Sequence, residues 1–292
     1  MHTGGTDVIR RTSEALRSRL GSQLFAQVAG PDGPVNRERI HGTPGPRWFG
    51  PERPIRIVHG DASMFVGGLR ALLLQSLHPL AMAAVAAHSG YRGDPWGRLA
   101  RTSTFLAVTT YGTAADASAA VAQVRAVHAR VKGTAEDGRP YRAGDPHLLA
   151  WVHAAEVDSF LAAHQAFGAR PLSPADCDAY VRDTARVAEA LGVARPPSDV
   201  AQLRAVLAAY RPELRATAAA RDAARFIVAE PPLPWPARIP YRALTANAAA
   251  LMPGWARTEL GLSAGPLAPL TRTSGAAVTG LIRWAMAPVR QR

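Results

Sequence analysis

The feature that most constrains this chain is a recurring dipeptide. Asp94-Pro95, Asp145-Pro146 and Ser173-Pro174 each set a short polar acceptor directly before a proline. The acceptor satisfies an orphan N–H of a first helical turn, and proline there loses nothing because its missing donor has no partner anyway. His78-Pro79 repeats the proline half of the signal. Thr113 followed by Asp116 forms a capping-box-like start, and Gly112 and Gly192 read as stops. Between these signals the chain is rich in alanine and poor in β-branched runs, which favours helix over strand. The spacing predicts helices over about 7–28, 62–75, from Pro79 onward, 94–111, 113 to near 133, 145–167 and 173–192. Two more open at Ser198-Asp199 and Thr217, and two short ones follow the stiff connector Pro231–Pro236. No strand or hairpin is expected; Gly133–Gly144 reads as a loop, and the Pro/Gly/Arg-rich stretch before residue 60 as an irregular wrap. The expected architecture is all-α, a single domain of roughly ten helices.

Length and charge bound the function classes. A chain of 292 residues with 48% hydrophobic residues can bury a large core. The formal charge of +12 does not by itself indicate a nucleic-acid partner: Lys132 is the only lysine, and the arginines are spread along the sequence. Residues 260–292 do carry Arg272, Arg283, Arg290 and Arg292 without an acid. That basic C-terminal tail, 263–292, is expected to be a solvated end. The alternative is that it docks on an anionic membrane surface or nucleic acid, as a peripheral contact of a cofactor-free helical protein. Cys177 is the sole cysteine, so no intramolecular disulfide forms. Arg10, Arg11, Arg17 and Arg19 precede no apolar run, and the apolar stretch from Met64 to Ala87 is interrupted by Arg70, Gln75 and His78-Pro79. Neither an export signal nor a membrane span is expected, and the cytoplasm is the expected compartment.

Familiar catalytic motifs are absent: no G-x-G-x-x-G after a strand, no Walker A, no H-E-x-x-H, no cysteine pair and no G-x-S-x-G. Two helix faces carry chemistry instead. Ala117, Val121, Val124, His128 and Val131 step by three or four residues, so His128 shares an apolar, core-directed face. Such a histidine is either a neutral metal ligand or a core ring bonded to a backbone carbonyl, and spacing alone favours the latter. Arg98, Arg101, Thr102 and Phe105 fall at i, i+3, i+4 and i+7 of the preceding helix. Arginines on such a stripe call for an anionic partner, whether a cofactor, a substrate carboxylate or Asp94 one turn earlier. His78, His88, His147, His153 and His164 read as caps, core rings or surface residues; His147 and His153, six apart, do not share a face.

Four segments carry a resemblance: "HPLAMAAVAAHSGYRGDPWGRLARTSTFL" (78–106), "VRAVHARVKG" (124–133), "DGRPYRAGDPHLLAWVHA" (137–154) and "LMPGW" (251–255). In order and spacing they resemble the MpaB/latex-clearing-protein (rubber oxygenase) family, over about residues 50–262, with 1–50 as an N-terminal wrap. The resemblance implies a globin-like α-helical core holding haem b. It places the family's axial iron ligand on His128 and its haem-pocket arginine and threonine on Arg98 and Thr102, which turns the reading of His128 from core ring to ligand. Arg101 and Phe105 join that pocket. The implied function is a haem-dependent oxidoreductase or oxygenase acting with O2 or peroxide on an apolar small molecule; the rival reading is a non-catalytic haem or gas-binding protein. Two departures separate this chain from rubber-cleaving members. No acid lies between Ala62 and Tyr91 to serve as their base, and Arg101 stands where they have lysine. Cleavage of polyisoprene is therefore not expected. Substrate and oligomeric state are left open.

Overall fold

A computed structural model describes residues 4–90, 92–262 and 271–287. Among them the chain is all-α, with fourteen helices: α1 (Gly4–Ala29), α2 (Gly33–Gly42), α3 (Pro54–His59), α4 (Met64–Gln75), α5 (Pro79–His88), α6 (Pro95–Tyr111), α7 (Ala114–Arg130), α8 (Pro146–Phe167), α9 (Pro174–Leu191), α10 (Val200–Tyr210), α11 (Ala218–Ala229), α12 (Trp235–Ala250), α13 (Gly254–Leu260) and α14 (Thr271–Met286). The capping signals act as their chemistry requires. The side chains of Asp94, Thr113, Asp145, Ser173, Asp199 and Thr217 each accept a backbone N–H in the first turn of the following helix.

Three expectations are corrected. Residues 33–42 and 54–59, expected to be irregular, form α2 and α3, each with a proline in its first turn. The expected loop 133–144 contains a small hairpin, β1 (Lys132–Thr134) against β2 (Pro140–Arg142), in antiparallel register. Its turn uses Gly138 at a φ of 83°, a conformation that disfavours a side chain, so the Asp137-Gly138 pair was the overlooked signal. The basic tail is no solvated end over 271–287. Val278 and Ile282 of α14 are buried against Leu244 and Ala248 of α12, and the Arg283 guanidinium grips Asp61 through two 3.0 Å bonds. Arg290 and Arg292 lie outside the described residues.

Helix α8 is the axle. Trp151, Ala154, Ala155, Val157, Phe160, Ala163 and Phe167 contribute to three apolar clusters, which also draw on α3, α4, α5, α9–α14. Because α8 is covered nearly all round, it reads as apolar on most faces rather than as a simple stripe. Its tightest neighbour is α4. A Cβ at Gly67 would lie 2.7 Å from Phe160 Cδ1 and 3.1 Å from its Cα, so the two backbones approach as closely as glycine alone allows. The Trp151 indole donates to the Gln75 carbonyl (3.2 Å), and the Gln75 amide donates to the Val152 carbonyl (3.0 Å). Buried Arg70 on α4 completes the junction: it donates to Ser159 Oγ (2.7 Å) and the Leu251 carbonyl (3.1 Å), and pairs with Asp158 at 2.7 Å.

Among the described residues no single helix is long and apolar enough to cross a membrane; α4 and α5 together meet that length and composition but are bent by 107°. The close approach of α4 to α8 yields a paired prediction. In an open helix Gly→Ala stabilises by up to about 1 kcal/mol. Gly68→Ala should do so, since its new methyl would sit 3.9 Å from Phe160. Gly67→Ala should instead lower stability by about 1–3 kcal/mol in urea unfolding, as overpacking against a backbone does. Equal effects at the two positions would contradict the packing described.

Candidate functional site

Helix α7 begins where Thr113 accepts the Asp116 N–H at 3.1 Å and donates its own hydroxyl to the Asp116 carboxylate at 2.7 Å. From there Ala117 and Val121 are buried, whereas Val124, His128 and Val131 are half-buried. The inward face therefore opens as it reaches its last turn, where His128 sits. Burial holds the His128 ring below its ordinary pKa, so it is neutral at pH 7. Among the described residues no protein group bonds either ring nitrogen, so the carbonyl-bonded core ring allowed by spacing is not what is found. A neutral imidazole with a spare lone pair is the form that ligates a metal.

Helix α6 differs from its expected burial. Arg98 is half-buried and donates to Ser89 Oγ at 3.2 Å. Thr102 is exposed and turns its hydroxyl onto the Arg98 carbonyl at 3.0 Å. Arg101 is exposed and pairs with Asp94 at 3.2 Å, so the ion pair expected for Arg98 falls on Arg101 instead. Phe105 is half-buried. The physical reason is that Asp94 caps Gly97 at 2.8 Å and projects its second oxygen over the turn that bears Arg101. The stripe thus forms a rim, not an inner wall.

A polar interior that sequence reasoning missed lies across α3, α8 and α9. His59 Nδ1 is 2.9 Å from Thr110 Oγ1 and its Nε2 3.3 Å from Tyr180 Oη, with the Phe160 ring edge-on at 5.5 Å. Burial pushes the His59 pKa down to about 3 and the Tyr180 phenol well up, the latter aided by the charge of Glu156. One turn apart on α8, His153 is pushed down to about 4 and Glu156 up to about 7, both by desolvation. His153 Nε2 is a buried nitrogen without a hydrogen-bond partner. Yet His59, His153 and Glu156 each retain some accessible surface. These groups are strongly desolvated yet not wholly enclosed. The pattern His153-x-x-Glu156 on a largely apolar helix was the signal; His59 lay in a stretch expected to be irregular.

The remaining histidines divide. His78 caps α5 by accepting the Ala81 N–H at 3.5 Å, and His88 Nε2 lies 3.1 Å from Tyr141 Oη. His164 is a buried core ring. His147 does not pair with His153, as its spacing implied, but lies beside His78 and Glu213.

Residues 56–288, most of the chain, match the family described as ER-bound oxygenase mpaB/B'/rubber oxygenase, catalytic domain. The chain belongs to that family. Membership places it among oxygenase catalytic domains. Two similar curated proteins, uncharacterized proteins of Mycobacterium bovis and Mycobacterium tuberculosis, are each 33% identical over 147 residues, covering 49% of this chain and 57% of theirs. The chain spans just over half the length of these relatives. No solved structure matches it.

Glu156 gives a pH test. Its folded pKa is raised from 4.5 to about 7, so the folded state keeps a proton that the unfolded chain releases. The associated stability is complete below about 4.5 and is lost as pH rises through 7. Glu156→Gln removes that loss. Relative to the parent, the cofactor-free variant should gain roughly 2–3 kcal/mol in unfolding free energy between pH 4.5 and pH 8. A difference independent of pH would mean that Glu156 is solvated.

Proposed function

We propose that the chain is a haem b-dependent oxidoreductase of the oxygenase type, acting with O2 or peroxide on an apolar small molecule. The observation that carries this reading is His128: a neutral, half-buried imidazole at the family-like position, with no protein partner on either nitrogen among the described residues. The half-buried aliphatic side chains of Val124 and Val131 on the same face as His128 suit the apolar surface of a planar cofactor. His128 would hold the iron, and Phe105, Arg98 and Thr102 would contribute to holding the cofactor. Bound there, haem would supply the activation of O2 or peroxide.

The chain's own residues then have separate tasks. Arg98 and Arg101 keep permanent positive charge at the rim, where an anionic edge of cofactor or substrate would lie. Arg101 is no substitute for a ligating lysine: guanidinium, with a pKa above about 12, offers no lone pair to iron. Glu156 holds a proton up to about pH 7 within the fold, and so can give or take one near neutrality. It stands on α8, not before α6, which is consistent with a reaction different from polyisoprene cleavage.

Purified chain supplied with ample haem should carry one haem b, measured as its pyridine haemochrome. His128→Ala should lose most of it, while His41→Ala and His88→Ala keep it. Resting ferric protein should be largely high-spin by electron paramagnetic resonance, turning low-spin in Arg101→Lys. Absence of a Soret band under loading conditions, or equal haem retention by all three histidine variants, would overturn the assignment.

A further inference from the structure

A second group of donors lies away from α6 and α7. His78 stands at the cap of α5, His147 in the first turn of α8, and Glu213 in a 3-10 turn (Arg211–Glu213) that follows α10. One ligand atom from each falls within 4.8 Å of the others. The hydrogen bonds around them fix where the protons lie. Tyr210 has a single hydroxyl proton, and it goes to the His147 carbonyl at 2.7 Å. The 3.2 Å contact between Tyr210 Oη and His147 Nδ1 is then satisfied only if Nδ1–H donates to the phenol oxygen. A neutral His147 consequently presents the lone pair of Nε2 to both Glu213 oxygens, at 3.0 and 2.9 Å.

Two lone-pair donors do not face one another at that distance without a positive centre between them. A proton on His147 Nε2 would meet the need of His147 and Glu213; His78, while its Nδ1 caps α5, could then turn only an Nε2–H to the same carboxylate from 3.5 Å, too long for a good hydrogen bond. Its Nε2 is buried, has no hydrogen-bond partner, and points at Glu213 Oε2 from 3.5 Å; the whole residue is 1% exposed. A cation shared by all three answers every one of these contacts. Donor-to-metal bonds of about 2.0–2.2 Å in a tetrahedron put ligand atoms about 3.3–3.6 Å apart; the 3.5 Å separation lies within that range and the 2.9 Å one reaches it by opening about half an ångström. The long contact from Ala81 N–H to His78 Nδ1 is loose enough to yield, leaving the ring proton on Nδ1 and the Nε2 lone pair for the ion. Nearby Arg139 does not compete for the carboxylate, because Asp137 holds its guanidinium at 2.8 and 3.0 Å.

We propose that His78, His147 and Glu213 form a divalent-cation site of the Zn2+ type, separate from the haem pocket, with its fourth position open to solvent. Two imidazoles and one carboxylate favour a borderline transition ion over Mg2+ or Ca2+. Beside the donors, a recess of about 370 Å³ bounded by Arg195, Pro197, Val206 and Tyr210 gives water or a small anion access to the open position. The ion would tie together three segments remote in sequence: the start of α5, the start of α8 and the end of α10.

The test uses the full-length protein, stripped with chelator and titrated with Zn2+ alone by calorimetry, with thermal unfolding followed in parallel. One Zn2+ should bind per chain and raise Tm. His147→Ala and Glu213→Gln, both at partly exposed positions, should each weaken binding at least tenfold and abolish the Tm rise. His41→Ala, altering an exposed histidine elsewhere, should change neither. X-ray absorption of the loaded protein should show only nitrogen and oxygen neighbours. No saturable binding, binding within threefold of the parent in both site variants, or a sulfur neighbour would overturn the proposal. None of these outcomes depends on whether haem binds at His128.

Discussion

The arrangement turns on one buried guanidinium. Arg70 enters the contact between α4 and α8, where burying a charge is costly unless every donor is met. Ser159, Asp158 and the carbonyl of Leu251 meet them. These partners belong to the centre of α8 and the end of α12, so Arg70 sets the rotation of α4 against one helix and the place where another stops. Gly67, one turn earlier, lets the backbones close to the distance at which those bonds form. Leu73, Leu74 and Leu77 then fall into the apolar cluster with Trp151 and Met252. A leucine in place of Arg70 would satisfy the hydrophobic pattern of α4 and leave no reason for this one orientation over its neighbours.

That same residue shows how far the sequence could be read. Capping pairs announced most of α4–α11 because capping is local chemistry between residues two or three apart. Arg70 looked like an interruption of an apolar run; its partners are some 90 and 180 positions away, and no local pattern links them. The same limit hid α2 and α3, which are short and gain their burial from helices far along the chain, such as Ile55 and Val58 packed with Tyr180 and Leu203. It also hid the docking of α14, although a face carrying Gly275, Val278, Thr279 and Ile282 repeats at helical spacing.

For the candidate site, spacing sufficed to put His128 on the same face of α7 as Ala117 and Val121, and its half-burial could not be read. The stripe on α6 was legible as a stripe. Its orientation was not, because whether a face is wall or rim depends on which helices stop short of it. Glu156, His153 and His59 escaped for a different reason: an acid on an apolar helix reads as a solvated residue until the surrounding helices are known to enclose it. Desolvation is a property of the assembled fold, and so are the proton affinities that follow from it.

The clasp of α14 has a consequence for how the chain is made. Asp61 sits at the entrance to α4, where Ser63 and Ala169 N–H groups and the Arg283 fork hold its carboxyl below the ordinary range against the upward push of burial. Arg283 emerges 222 positions after Asp61. During vectorial synthesis α4 and α8 can pair long before that, but the groove that receives Val278 and Ile282 stays uncovered and Asp61 lacks its cation. Completion of the core therefore waits for one of the last segments described, and until then the nascent protein presents an apolar groove beside an acid without its cation to whatever chaperone meets it first.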